Sequence, residues 1–196
     1  MSERITLATS DSQTLEARWD TPDDPTGGVV FCHPHPLQGG SMMAPLMIAV
    51  ARRLVERGFA VLRFNFRGTG NSTGSHDNGA AEKLDVTAAV DEVRGKGLAL
   101  HLSGWSFGAG VVLNWLGEQT DSIPYSAIAP SARSLPAELP PGPKRMVVGT
   151  RDQVIDGEAL RSYAEQHQID LVLTSGDHFF HGRGKKIGNL VAQGFE

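Results

Sequence analysis

Leu98-Ala-Leu-His-Leu-Ser-Gly-Trp-Ser-Phe-Gly-Ala-Gly-Val-Val-Leu-Asn-Trp-Leu116 is the stretch on which the fold turns. Its centre, Gly104 to Gly108, reads G-x-S-x-G. The run Leu98–Leu102 before it has strand character, and the run Ala109–Leu116 after it has helix character. A serine at so tight a strand-to-helix turn is forced into strained backbone, with its Oγ presented at the end of the sheet. The glycines at 104 and 108 have a steric reason: strand and helix nearly touch there, and a Cβ would clash. The helix start aims free N–H groups and a positive dipole end at the reacting centre. The plainer reading is a glycine-rich turn whose serine is only an N-cap. The strand before and the helix after favour a nucleophile.

Working outward, the chain alternates strand and helix patterns. Arg4–Thr9 and Leu15–Trp19 alternate apolar with polar and read as an antiparallel hairpin with one wet face. Gly28–Cys32 is a continuous apolar run, as in a strand buried on both faces. Met43, Leu46, Met47, Val50, Ala51, Leu54 and Val55 repeat at helical spacing, with Arg52, Arg53, Glu56 and Arg57 on the other face and Gly58 as the stop. Phe59–Phe66 is a strand and residues 79–95 a weaker helix. Strand 98–102, helix 107–118 and the strand Tyr125–Ala129 follow. Residues 124–143 hold six of the eleven prolines and read as loop or broken helix. The strand Arg145–Gly149, helix Gly157–Gln166, strand Ile169–Leu173 and a closing helix over 185–194 complete the pattern. Alternation after an opening hairpin gives an α/β fold: a mostly parallel sheet with helices on both faces, one domain over residues 1–196.

The bulk numbers exclude several classes. With 196 residues the chain has enough length for a sizeable core, and 40% hydrophobic and 20% charged residues describe an ordinary globular protein. A net charge of −4 gives no pull towards nucleic acid or anionic membrane, and the Arg183, Lys185 and Lys186 cluster reads as a solvated face. One cysteine, Cys32, excludes an internal disulfide and suits a reducing compartment. No signal-like run or apolar span is visible, so a cytoplasmic location is expected.

A serine hydroxyl is a weak nucleophile and needs a base oriented by a carboxylate. The chain supplies Ser, then Asp, then His, each just past a strand: Ser106, Asp152 in Gly149–Gln153, and His178 in Ser175–Phe179. Asp156 and His181 are their rivals. An oxyanion hole needs two N–H groups. Phe107 N–H is one, and the other comes from the loop His33–Ser41, where Pro34 and Pro36 have no N–H; His35 is favoured over Leu37. Arg67-Gly-Thr-Gly-Asn-Ser-Thr-Gly74 looks like a phosphate-binding loop but lacks the G-K-[ST] ending. His33-x-His35 with Asp177, His178 and His181 has metal-ligand character, yet that reading leaves G-x-S-x-G idle. Cys32 lies inside a buried run and makes a poor nucleophile. A serine triad requires no metal and no cofactor.

Gly104–Gly108, Asp152 and His178 are joined by His33-Pro-His-Pro36, Phe64-Asn-Phe-Arg-Gly-Thr-Gly-Asn-Ser72 and Asp177-His-Phe-Phe-His-Gly182. Together they resemble the small α/β-hydrolase superfamily proteins related to dienelactone hydrolases and carboxylesterases, from residue 3 onward. The resemblance implies the α/β-hydrolase fold, Ser106 as nucleophile, Asp152 as acid, His178 as base and the loop after the first parallel strand as oxyanion donor. That loop begins His-Gly in the better-known esterases and His33-Pro34 here. Dienelactone hydrolases use cysteine where this chain has Ser106. The expectation is a serine hydrolase of small soluble carboxylic esters. Thioesterase or peptidase-like hydrolysis, or a non-catalytic binding protein of the same fold, are the alternatives. Lids in this fold follow the sixth strand, and Pro130–Lys144 is too short for a cap. Oligomeric state is not legible.

Overall fold

The computed structural model describes residues 1–132 and 135–195. Eight strands form one sheet: β1 (Ser2–Ala8), β2 (Thr14–Asp20), β3 (Gly27–Cys32), β4 (Phe59–Phe64), β5 (Leu100–Gly104), β6 (Tyr125–Ile128), β7 (Lys144–Gly149) and β8 (Asp170–Thr174). Their order is β1-β2-β4-β3-β5-β6-β7-β8. The hairpin β1–β2 is antiparallel, and β2 meets β4 antiparallel. Every further pairing is parallel.

β3 and β4 are buried at every position; β3 is a continuous apolar run, and the one charge in β4, Arg63, is paired with Asp20. Period-two alternation sends Val30, Cys32, Ala60, Leu62 and Phe64 into one core and Val29, Phe31, Phe59 and Val61 into the other. Helices α2 (Glu82–Gly95), α3 (Phe107–Gly117) and α4 (Gly157–Gln166) cover the first core. Helices α1 (Pro45–Glu56) and α5 (Gly184–Ala192) cover the second.

The sequence pattern and the observed boundaries differ at a few ends. β5 runs through Ser103 and Gly104 rather than starting at 98, because its partner β3 reaches only from Gly28 opposite Leu100 to Cys32 opposite Gly104. β4 stops at Phe64, and Asn65 turns to accept the Met42 N–H at 2.9 Å through its side chain. α2 begins at Glu82, three residues later than its pattern suggests, and α5 starts at Gly184, so His181 lies outside any helix. Among the described residues the β6–β7 connection carries no cap; residues 133 and 134 of this proline-rich loop lie outside them. No described helix is long and apolar enough to cross a membrane.

β3 has β4 on one side and β5 on the other, so the chain order reverses around it. Crevices at the carboxyl ends of strands beside such a switch point are where ligands bind in open α/β sheets. The loops after β3 and β5 both emerge there.

Candidate active site

Ser106 sits between β5 and α3 with φ 55° and ψ −114°. This is a left-handed conformation that a serine adopts only when its surroundings impose it. Two backbone bonds impose it. Trp105 N–H donates to Cys32 O at 3.0 Å, and Ser106 N–H donates to Ile128 O at 2.9 Å. A Cβ on Gly104 would lie 2.6 Å from Ala109 N, so this glycine lets α3 fold back on its own strand. Gly108 is required for a different reason. A Cβ there would meet the end of β3, 2.6 Å from Cys32 C and closer still to the His33 carbonyl. Phe107 opens α3, where helix geometry leaves the first N–H groups without intrahelical acceptors.

Asp152 and His178 come together from the loops after β7 and β8. His178 Nδ1–H donates to Asp152 Oδ2 at 2.8 Å, and both side chains are nearly sealed from solvent. Asp152 Oδ1 accepts the N–H groups of Val154 at 2.9 Å and Ile155 at 3.3 Å, which leaves Oδ2 for the imidazole. The two loops are joined by backbone: Thr150 N–H donates to Thr174 O at 2.8 Å, and Arg151 N–H to Gly176 O at 3.0 Å. Gly149 has no room for a Cβ, which would stand 2.6 Å from Gly176 O. Asp177 shapes the histidine loop by accepting Phe179 and Phe180 N–H, each at 3.1 Å. Trp105 Nε1–H donates to His178 O at 3.2 Å and ties the serine turn to that loop.

The rivals have other work. Asp156 caps α4, accepting Ala159 N–H at 3.0 Å. His181 stacks on Phe179, ring centroids 5.8 Å apart. His33 is fully buried beneath the first loop. Its Nε2 accepts Phe66 N–H at 3.0 Å, and its Nδ1–H donates to Pro34 O at 2.6 Å. Both nitrogens are spent, so His33 is a peg between β3 and β4 rather than a metal ligand. Burial pushes its pKa down to about 4, keeping it neutral. Among the described residues no group of three or more His, Cys, Asp or Glu side chains has a metal-holding arrangement.

The loop after β3 closes on itself. The His35 carbonyl accepts Gln38 N–H at 3.1 Å and Gly40 N–H at 3.0 Å, and Gly40 packs too tightly on Pro34 to carry a Cβ. The His35 ring lies 5.1 Å from that of Phe107. Leu37, the other oxyanion candidate, points to solvent, 75% exposed.

Ser106 stands at the meeting of two hollows. One, of about 580 Å³, runs past Trp105 and His178 along the start of α1 and the histidine loop. The other, of about 510 Å³, runs over α3 towards Asn78, Gly79 and Ser131. Sequence reasoning missed what builds the second wall. Glu82 is fully buried; Oε1 accepts Asp77 N–H at 2.9 Å and Oε2 accepts Gly79 N–H at 2.8 Å. His76 Nδ1 stands 2.7 Å from Glu82 Oε1, though outside hydrogen-bond geometry, and its ring packs 5.2 Å from Phe107. The phosphate-like loop is held by Arg67. Its guanidinium bonds Asp85 (Nη2–H to Oδ1, 2.7 Å) and Asp11 (Nη1–H to Oδ2, 2.8 Å). Only the acids at 82 and 85 opening the helix signalled any of this.

The family model described as serine aminopeptidase, S33 matches residues 23–155. An α/β serine hydrolase without lid from Xanthomonas campestris is 30% identical, with a TM-score of 0.86, over 98% of this chain and 93% of its own. An α/β serine hydrolase homologue from Coxiella burnetii is 29% identical, also at 0.86, over 99% and 97%. An uncharacterised protein of Rickettsia prowazekii is 27% identical over 198 residues, 90% of this chain and 82% of its own.

Proposed function

This chain belongs to the serine aminopeptidase S33 family, within the small lidless α/β serine hydrolases, and from that premise we propose that it cleaves small carboxylic esters through Ser106, His178 and Asp152. The observation that carries the reading is the buried Asp152–His178 bond on the wall of the hollow that Ser106 also lines. Asp152 accepts the Nδ1 proton, which leaves Nε2 of His178 as the basic nitrogen. Ser106 Oγ attacks the ester carbonyl carbon, and its proton passes to His178 Nε2. The oxyanion is met by the N–H groups of Phe107 and His35. Collapse breaks the bond to the alcohol oxygen, which leaves with the His178 proton. Water then attacks the acyl-enzyme, gives a proton to His178, and releases the acid as Ser106 regains its hydrogen.

Ester cleavage is favoured over aminopeptidase action by the lining. An aminopeptidase has to hold its substrate's ammonium group, which calls for a carboxylate. Among the described residues no Asp or Glu lines either hollow. The test is hydrolysis of p-nitrophenyl butyrate. Ser106→Ala is expected to lower kcat by about 10⁴ or more. Turnover by the Ala variant at the wild-type rate contradicts the assignment.

A further inference from the structure

The two hollows differ in chemistry, and the direction of proton transfer says which part of a substrate each one takes. When the acyl-enzyme forms, the bond between the carbonyl carbon and the alcohol oxygen breaks. The electron pair stays on that oxygen, which receives the proton His178 Nε2 took from Ser106. The departing oxygen therefore has to lie within hydrogen-bond reach of His178. Ser106 lines both hollows, and His178 lines only the larger. We infer that the hollow beside His178 seats the alcohol and the hollow over α3 seats the acyl group, so that the substrate is an ester of a flat, aromatic alcohol with a short, neutral, hydrogen-bonding acid. The inference rests on the serine-hydrolase reading above.

The walls carry the chemical half of it. The alcohol side is mainly apolar, with Pro34, Leu46, Trp105, Phe179 and Phe180 in its wall and Lys185 also lining it. The Phe179 ring stands perpendicular to Trp105 at 6.4 Å and to His178 at 5.6 Å, and remains half exposed. His181 stacks on one face of this ring, and the ring's half-exposed remainder gives a flat apolar ligand an aromatic wall beside the imidazole. The acyl side is mixed: Asn78, Lys83, Asn114 and Ser131, none of which lines the other hollow, stand among Phe107 and Val111. A long alkyl chain there strips water from these groups and returns no hydrogen bond. The Lys83 ammonium is engaged by Glu118, and Asn114 Nδ2–H donates to Gly110 O at 3.0 Å. Among the described residues this side therefore offers polar groups and no open cation, which points to a neutral acyl group such as a hydroxyacyl rather than a second carboxylate.

The experiment is a matrix of kcat/KM values for methyl and benzyl esters, whose alcohols are of similar acidity, each with acetic, butyric and 3-hydroxybutyric acid. The wild type is expected to prefer benzyl to methyl by about tenfold or more. It is expected to prefer 3-hydroxybutyryl to butyryl several-fold. Two variants then separate the sides. Phe179→Ala is expected to collapse the benzyl-to-methyl ratio and to leave the butyryl-to-acetyl ratio at its wild-type value. Gly110→Leu, whose Cβ has ordinary contact with Ser131 O at 3.5 Å, fills the acyl side. It is expected to lower the butyryl-to-acetyl ratio and keep the benzyl-to-methyl ratio. If Phe179→Ala alters the acyl ratio instead, or Gly110→Leu the alcohol ratio, the assignment is reversed. A wild type indifferent to both changes also overturns it, whether or not the variants fold. Active enzyme labelled at Ser106 with exchanged preferences sinks the lobe assignment alone. No ester turnover and no fluorophosphonate label on Ser106 sink the hydrolase reading, and this inference with it.

Discussion

Ser106 is held in a backbone conformation costing on the order of 1–3 kcal/mol, and the bonds that impose it come from β3 and β6. The same residue-by-residue logic separates Asp152 from Asp156. One carboxylate faces an imidazole, the other caps a helix. Asp152→Asn permits the wrong imidazole tautomer and is expected to lower kcat by about 10⁴, whereas Asp156→Asn keeps an adequate cap and most of the activity. If Asp156→Asn is the more damaging change in ester hydrolysis, the assignment fails. His33 gives a pH prediction. Folding keeps it neutral down to about 4, whereas an unfolded histidine binds its proton near 6.5. Between those values the unfolded chain holds the extra proton, so stability rises with pH across the window. The contribution is complete above 6.5 and lost as pH falls towards 4, on the order of 3 kcal/mol in all. Urea midpoints at pH 7 and pH 4.5 are expected to differ more for the wild type than for His33→Gln. Equal differences remove His33 as the cause.

At the scale of elements, α2 shows why part of the molecule was hidden from sequence reasoning. Its buried stripe is Glu82, Asp85, Val86, Ala89, Val90 and Val93, so two acids stand where an amphipathic pattern demands apolar residues. The pattern therefore looked weak and its start blurred. The acids are buried because each has backbone donors, and Asp85 also has Arg67. Burial pushes the Asp85 carboxyl up, and the Arg67 bonds oppose that shift. Removing one member of a buried pair strands the other charge. Arg67→Ala is expected to destabilise the fold by about 3–5 kcal/mol, read as a fall in the urea midpoint. A loss under about 1 kcal/mol, the range of surface pairs, contradicts this account of the loop. By contrast α1, β3 and the G-x-S-x-G turn were legible, because their burial is apolar and their period regular. The link from Trp105 to the His178 carbonyl was not, since it joins segments more than seventy residues apart and leaves no local pattern. Nor was the need for Gly108, which is set by the end of a strand far earlier in the chain.

For the whole molecule, the sheet brings the loops after β3, β5, β7 and β8 to one edge, and among the described residues no cap covers that edge. A long acyl chain gains about 0.8 kcal/mol per methylene only where the chain leaves water. In the hollow over α3 a lengthening chain passes Asn78, Lys83, Asn114 and Ser131, and covering these polar groups offsets what its methylenes gain. For p-nitrophenyl esters, kcat/KM is therefore expected to be highest at short acyl chains and flat or falling beyond about six carbons; a steady rise to decanoate contradicts the polar acyl side. The chemistry depends on a single nucleophile at the switch point of the sheet. Labelling with a fluorophosphonate probe, followed by peptide mapping, measures that directly. The account predicts one adduct, on Ser106, absent in Ser106→Ala and formed much more slowly in Asp152→Asn. An adduct on another residue, or full labelling of Ser106→Ala, contradicts it.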